Sequence, residues 1–256
     1  MSQNNPSKNT FVIVLIALLT FGSFVTQSKD NKLEFKHMGY DKRNVFYFKL
    51  SEYNEHDSLV AYDTIGLFCT PDKMEINGQF ISSWRFLNLI KGKYITNRKF
   101  DFNGYSGIVV TDSLLFIHPD RVDKYTHFQF CPHPYFMNNT AIGEPIVWDL
   151  VIGNPMYNLP PYYNLDTNYN FHFCYVFSGL DSVSFKGCVT HKYIASSTSK
   201  FGVTTANYFL CNEYGLVRME VYPLDKHKYI FEYYGKDADK KEKDYFNLNS
   251  SIDKVY

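Results

Sequence analysis

The sequence predicts a mainly β protein, an antiparallel sandwich or a curved half-barrel, behind an N-terminal hydrophobic signal or anchor helix. Aromatic residues make up 18% of the chain, with 22 Tyr and 23 Phe, and such side chains favour the half-buried, pleated positions of strands. Short runs of β-branched and aromatic residues recur between turn signals, and few segments have the period of a helix. These observations together favour an antiparallel sheet.

The N-terminal segment, residues 1–28, has the three parts of a secretory signal. A polar leader containing Lys8 precedes an apolar run from Phe11 to Val25, and polar residues follow. The run is shorter than the roughly 20 residues of a spanning helix, which favours a signal peptide, with a retained membrane anchor as the alternative. We therefore expect export to the periplasm or cell surface of a β-rich domain, residues 29–234, followed by a charged C-terminal tail, residues 235–256.

Three hairpins are predicted from turn signals between strand-like runs. Asn77-Gly78 tolerates the positive φ of a type I′ turn, and Thr111-Asp112-Ser113 separates two apolar runs. The third turn spans Asn212–Gly215, and the run from Tyr229 to Tyr234 then completes the sheet.

Alternation and proline define the remaining elements. Phe128-Gln129-Phe130 and Ile146–Ile152 are predicted strands. The proline-rich segment Gly153–Asn168 is predicted to be a loop packed on the sheet, because proline cannot join a central strand. From Tyr169 to Val176 every second residue is aromatic, which predicts one buried face, and Lys186-Gly187 is interpreted as a bulge.

The closing hairpin carries a family resemblance. Its aromatic-rich strand, short turn and Gly215-Leu216-Val217-Arg218 resemble the closing hairpin of exported β-sheet proteins and lipoproteins of unknown function from Bacteroidetes-type bacteria. The resemblance implies an antiparallel sheet and export, and it implies no activity. No Cys follows the apolar run near the N-terminus, so a lipid anchor is not predicted.

The charge balance excludes one class of partner. The 26 basic residues equal the 26 acidic residues, so the chain lacks the positive field that a nucleic-acid-binding protein uses. We expect no nucleic acid. The expected partner is a small molecule, a glycan or an envelope protein, and the membrane is a further partner if the N-terminal segment is retained.

Two Cys/His pairs are candidate metal ligands. Cys131 lies two residues from His133, and His172 lies two residues from Cys174. On strands, this spacing points both side chains of a pair to one face, and two adjacent strands would then supply a tetrahedral zinc site. The alternatives are ordinary core or surface packing and a Cys131–Cys174 disulfide.

Aromatic residues in and near the proline-rich segment are candidate ligand contacts, because exposed rings are costly unless something covers them. These candidates are Trp148, Tyr157, Tyr162 and Tyr163.

Four carboxylates could also converge as the acid and base of a hydrolase. They are Glu144, Asp149, Asp166 and Asp181. The sequence therefore leaves three functions open. A non-catalytic ligand-binding or envelope module is the leading interpretation. A metal-dependent or carboxylate hydrolase and a structural component of a surface assembly are the alternatives.

Overall fold

The structure is a computed structural model that describes residues 32–74, 78–90, 93–96, 105–119, 123–152 and 169–238. The chain divides into two compact units, Met1–Leu33 and Glu34–Tyr256, and the following description concerns the second. The predicted signal or anchor segment lies outside the described residues, as do the whole proline-rich segment and residues 239–256. Among the described residues, no helix combines the length and apolar character needed to cross a membrane.

Thirteen strands form one antiparallel sheet in the described part of the chain, which confirms the predicted mainly antiparallel β fold. They are β1 (Asn44–Tyr53), β2 (Leu59–Lys73), β3 (Phe80–Ile90), β4 (Lys93–Thr96), β5 (Tyr105–Val110), β6 (Leu114–Ile117), β7 (Tyr135–Met137), β8 (Pro145–Ile152), β9 (Tyr169–Phe185), β10 (Cys188–Ser199), β11 (Gly202–Cys211), β12 (Gly215–Tyr222) and β13 (Lys228–Ala238). A short helix, α1 (Phe35–Met38), precedes β1, and a 3₁₀ helix (Asp123–Phe130) precedes β7. The strand order is β7-β6-β5-β3-β2-β1-β13-β12-β11-β10-β9-β8, with β4 paired to β3 beside this path.

The three predicted hairpins are confirmed. They are the antiparallel pairs β2–β3, β5–β6 and β11–β12. In the first hairpin, Gly78 has the expected positive φ of 67°, whereas Asn77 lies outside the described residues. The alternation from Tyr169 is also confirmed, since Phe171 and Phe173 are buried and His172 between them is exposed.

The predicted bulge at Lys186-Gly187 is wrong, because these residues form the turn of a further hairpin. Phe185 at the end of β9 pairs with Cys188 at the start of β10. Lys186 and Gly187 both adopt positive φ, 48° and 81°, as the two central residues of a type I′ turn do. The chain therefore reverses here and begins a new strand.

The pairing of β1 with β13 joins two strands from opposite ends of the described chain. Their register runs from Asn44 against Ala238 to Tyr53 against Lys228. β13 thus continues beyond Tyr234, where the sequence predicted that the charged tail begins. The charged residues have partners within the sheet: Lys236 Nζ donates to the carbonyl of Met38 at 3.1 Å, and Asp237 accepts from the Tyr47 hydroxyl at 2.8 Å.

The segment from the 3₁₀ helix to β7 fills the core instead of forming the predicted strand. Phe128, Gln129 and Phe130 are all buried, and a half-exposed strand would have left alternate side chains in solvent. Backbone carbonyls of this segment accept hydrogen bonds from the sheet, since Thr204 Oγ1 donates to Phe130 at 3.0 Å and the Tyr208 hydroxyl donates to Pro132. These bonds provide hydrogen-bond partners for carbonyl groups of irregular backbone in the protein interior.

Side chains from the two ends of the strand path share one core. Phe136 on β7 is fully buried, and its ring centroid lies 5.0 Å from that of Tyr193 on β10 and 5.5 Å from that of Tyr208 on β11. Full burial of one such ring contributes about 1.5–3 kcal/mol. The inward-facing side of the sheet is therefore occupied by packing, and any site open to ligands lies on its outer face or beside its turns.

Candidate functional site

The structure does not bring the four predicted zinc ligands together. Cys131 and His133 lie in the buried segment before β7, where the His133 ring packs 5.4 Å from the ring of Phe173 on the inner face of β9. His133 Nε2 lies 3.2 Å from the carbonyl oxygen of Gln129. This half of the predicted site is part of the core.

His172 and Cys174 lie on the opposite face of the same strand, because successive side chains of a strand alternate between faces. Phe173 between them points inward, and His172 is exposed, with its Nδ1 atom 2.8 Å from Asp149 Oδ1 on β8. The pleat of β9 therefore separates these two residues from Cys131 and His133. All four are among the described residues, and both cysteines are free thiols, so the alternative Cys131–Cys174 disulfide is absent too.

Trp148, a predicted ligand contact, is half-buried on β8 and stacks on Phe173 with ring centroids 4.5 Å apart. Its indole Nε1–H is buried, with no hydrogen-bond partner among the described residues. The other three candidates, Tyr157, Tyr162 and Tyr163, lie outside the described residues. The aromatic ligand site therefore stays a prediction.

Two histidines and two carboxylates surround the hydroxyl of Tyr229, where β1, the 3₁₀ helix and the turn before β13 meet. We call this set, with Tyr229, the Tyr229 cluster. The Tyr229 hydroxyl donates to Asp225 Oδ2 at 2.9 Å and lies 3.5 Å from Glu52 Oε1. His227 Nδ1 lies 2.8 Å from Glu52 Oε1, and His127 Nε2 lies 3.5 Å from Asp225 Oδ2. Each carboxylate therefore has one histidine beside it.

The Tyr229 hydroxyl fills the space between the two carboxylates of the Tyr229 cluster. Tyr229 is 3% exposed, and its ring packs edge-on against Phe128 at 4.9 Å. Burial, followed by the charge of Asp225, raises the pKa of the Tyr229 hydroxyl far above its usual range, so the hydroxyl remains a hydrogen-bond donor. Because this hydroxyl stands between Asp225 and Glu52, it leaves no room there for a substrate.

A groove of about 440 Å³ opens on the outer face of the sheet across β9 to β13, and we call it the Arg218 groove. Met219 and Val221 are buried, so Arg218 and Glu220, which alternate with them on β12, point to the opposite face. Its lining includes Asp181, Phe185, Phe209, Arg218, Glu220 and Glu232. The volume falls within the range of about 300–1,000 Å³ typical of small-molecule sites.

Ion pairs fix the charged wall of the Arg218 groove. Arg218 Nη2 lies 2.8 Å from Glu220 Oε1, and Arg218 Nη1 lies 3.1 Å from Glu232 Oε1 on β13. The second oxygen of Glu220 accepts from Asn207 Nδ2 at 3.0 Å. Lys192 Nζ lies 5.5 Å from the ring centroid of Phe209. The groove therefore presents charged hydrogen-bond donors and acceptors, fixed in position by ion pairs, beside aromatic rings.

Three solved structures have a distant likeness to the chain. A candidate lipoprotein from Parabacteroides distasonis is 10% identical with a TM-score of 0.39, over 82% of this chain and 100% of that chain. The hypothetical lipoprotein YmcC from Escherichia coli is 9% identical with a TM-score of 0.32, over 91% of this chain and 98% of that chain. A candidate exported protein with a YmcC-like fold from Bacteroides fragilis is 10% identical with a TM-score of 0.33, over 77% of this chain and 96% of that chain.

All three of these proteins are named as lipoproteins or exported proteins. Their TM-scores are below 0.5, so no activity, location or fold is inferred from them for this chain. No protein-family model matches the chain, and no curated protein matches it.

The sequence contains only part of the signal for the Arg218 groove. The spacing of Arg218 and Glu220 on an alternating strand places both on one face, and this could have been noticed. Asp181 was a candidate carboxylate and does line the groove, whereas Asp149 pairs with His172. The approach of Glu232 depends on the register of β12 and β13, in which Arg218 lies opposite Glu232.

Proposed function

We propose that the chain is a non-catalytic, extracytoplasmic binding module whose ligand, a glycan or a similar polyhydroxylated small molecule, lies in the Arg218 groove. The observation that carries this proposal is the groove itself, which combines an open volume of about 440 Å³ with charged groups held in place by ion pairs. The extracytoplasmic location rests on the predicted N-terminal signal or anchor segment.

The chemistry of the groove wall favours a neutral, hydroxyl-rich ligand. Glu220, Glu232 and Asp181 supply hydrogen-bond acceptors, and Arg218 supplies donors. The guanidinium offsets one of the three carboxylate charges, so the wall keeps a net negative charge and disfavours an anionic ligand. Phe185 and Phe209 provide apolar surface for the non-polar face of a ring-shaped ligand, in the mixed pattern of small-molecule sites.

The arrangement of carboxylates favours binding over the hydrolase alternative. A carboxylate hydrolase needs two acids with a water molecule or a scissile bond between them. Arg218 bridges Glu220 and Glu232, and the Tyr229 hydroxyl stands between Glu52 and Asp225. In both of these carboxylate pairs, a protein group occupies the space that a substrate would need.

One observation favours the structural alternative as a second candidate function. β8 ends the strand path, and Val147 and Val151 on its outer face are 55% and 57% exposed. An edge strand with exposed apolar side chains is a typical site for pairing with another chain. This alternative predicts self-association of the domain in solution.

Glycan binding by the purified protein tests the proposed function. We would screen the chain on an array of bacterial oligosaccharides and measure the Kd of any hit by calorimetry. We expect at least one glycan to bind, and Arg218→Ala and Phe209→Ala each to weaken binding about tenfold or more, equivalent to about 1.4 kcal/mol. Arg43→Ala, at an exposed arginine before β1, is the matched control. No bound glycan, or equal binding by Arg218→Ala, would contradict the proposal.

A further inference from the structure

We propose that Cys188, Cys211 and Glu213 form a binding site for a soft divalent metal ion such as zinc. Their ligand atoms, two thiol sulfurs and one carboxylate oxygen, all lie within 4.8 Å of one another. Thiolate sulfur and carboxylate oxygen are both zinc ligands, and three protein ligands leave a fourth position open to water. This site shares no residue with the zinc site predicted from the sequence, nor with the Arg218 groove.

Two turns position the three ligands. The turn at Lys186-Gly187 places Cys188 at the start of β10, and the turn after Cys211, the last residue of β11, carries Glu213. The Cys188 thiol donates a hydrogen bond to the Glu213 carboxylate. The site is therefore formed by neighbouring ends of adjacent strands.

Tyr40, a buried side chain before β1, holds the second turn in place. Its hydroxyl oxygen accepts the backbone N–H of Leu216 at 2.9 Å. Gly215 precedes Leu216 with a φ of 73°, and a Cβ there would lie 2.5 Å from the same hydroxyl. Only glycine fits this close approach, so the turn that carries Glu213 has a fixed conformation before any ion binds.

The distances suit a small tetrahedral ion. Zinc binds thiolate sulfur at about 2.3 Å and carboxylate oxygen at about 2.0–2.2 Å, so its ligand atoms lie about 3.5–3.8 Å apart. The three ligand atoms lie within 4.8 Å of one another, so side-chain adjustment brings them to this spacing. Glu213 is exposed, whereas both cysteines are buried, so an ion has a path from solvent to the thiols along the carboxylate.

Metal binding leaves the net charge of the site unchanged. Before binding, the site holds one carboxylate and two protonated thiols, since the Cys188 thiol donates to the carboxylate and both cysteines are buried. A divalent cation displaces both thiol protons to solvent and forms two metal–sulfur bonds and one metal–oxygen bond. The two added positive charges equal the two lost protons, so the site remains at a charge of minus one without an oxidant or reductant.

Titration of the full chain with Co²⁺ tests this site through its colour. Protein purified under reducing conditions and freed of metal by a chelator would receive Co²⁺, followed by Zn²⁺ as competitor. We expect one Co²⁺ per chain, with thiolate-to-cobalt charge-transfer bands that Zn²⁺ removes. Cys188→Ser and Cys211→Ser should each lose the bands, and Glu213→Gln should bind Co²⁺ about tenfold more weakly.

Cys174→Ser is the matched control, since Cys174 lies on the outer face of β9 and belongs to the sequence-predicted zinc site. Its bands should be unchanged, and their loss would overturn the proposal in favour of the earlier ligands. Absence of bands in reduced wild-type protein, or a Cys188–Cys211 disulfide in protein purified without reductant, would also overturn it. Glu213→Gln changes an exposed turn residue, so it keeps the test valid if a cysteine variant does not fold.

Discussion

The Tyr229 cluster and the Arg218 groove contain similar chemical groups but use them in opposite ways. In the Tyr229 cluster, carboxylates and histidines meet a buried hydroxyl that stands between the two carboxylates. In the Arg218 groove, carboxylates meet a guanidinium on the outer face of the sheet, beside a volume of about 440 Å³. The difference shows that a set of titratable residues indicates a binding site only when open space lies next to it.

Replacement of Tyr229 should destabilise the fold more than replacement of any residue of the Arg218 groove. Tyr229→Ala removes a ring that is 3% exposed and leaves Asp225 without its 2.9 Å donor. We expect the free energy of unfolding to fall by about 3–5 kcal/mol, as for other buried aromatic residues. Urea unfolding followed by circular dichroism measures this change. Tyr62→Ala, at a tyrosine that is 81% exposed, is the control and should change stability by about 0.5 kcal/mol or less.

The Tyr229→Phe variant separates the contribution of ring packing to stability from that of the hydroxyl's hydrogen bonds. It keeps the ring and deletes only the hydroxyl, so we expect a loss of about 1–3 kcal/mol. A Tyr229→Ala variant as stable as the wild type would show that the cluster is not a packed interior site, and the contrast with the groove would fail.

A buried histidine extends the comparison to pH. His191 on β10 is 7% exposed and stacks on Phe177, and burial lowers its pKa to about 4. Between pH 6.5 and pH 4, the unfolded chain therefore binds a proton at this position that the folded chain does not. Stability should fall as the pH is lowered through this window, by up to about 3 kcal/mol, and this contribution should then level off below pH 4.

Unfolding at a series of pH values tests this contribution with two variants. His191→Phe should lose the additional pH dependence, because phenylalanine keeps the ring and does not titrate. Tyr62→Ala, at the exposed tyrosine already used as a control, should keep the wild-type profile. The same profile in His191→Phe as in the wild type would disprove this role of His191.

Local sequence patterns correctly predicted the elements whose structure depends on residues close to them in the sequence. The alternation around Phe171 and Phe173 and the hairpins at Gly78 and at Thr111-Asp112-Ser113 are examples. Lys186-Gly187 was misread because a two-residue type I′ turn and a bulge both use a glycine with positive φ between two strand-like runs. Only the strand pairing distinguishes them.

Features that depend on contacts distant in sequence could not be predicted. The pairing of Asn44 with Ala238 and the ion pair of Arg218 with Glu232 depend on register, which a single strand does not encode. Phe128-Gln129-Phe130 matched the strand pattern, yet its place between sheet side chains buries all three residues. The Cys188 and Cys211 thiols meet because two turns lie side by side, and their spacing in the sequence gives no sign of it.

Replacement of Arg218 should change the stability of the fold only slightly. Arg218 is 39% exposed and pairs with Glu220 and Glu232 at the surface, where ion pairs typically contribute about 0–1 kcal/mol. Arg218→Ala should therefore lower the free energy of unfolding by no more than about 1 kcal/mol, as measured by urea unfolding beside Arg43→Ala. A loss of several kcal/mol would make the guanidinium a structural tie like the Tyr229 hydroxyl. A small loss of stability together with weaker glycan binding would show that the charged residues of the groove serve ligand binding, because the fold is stable without Arg218.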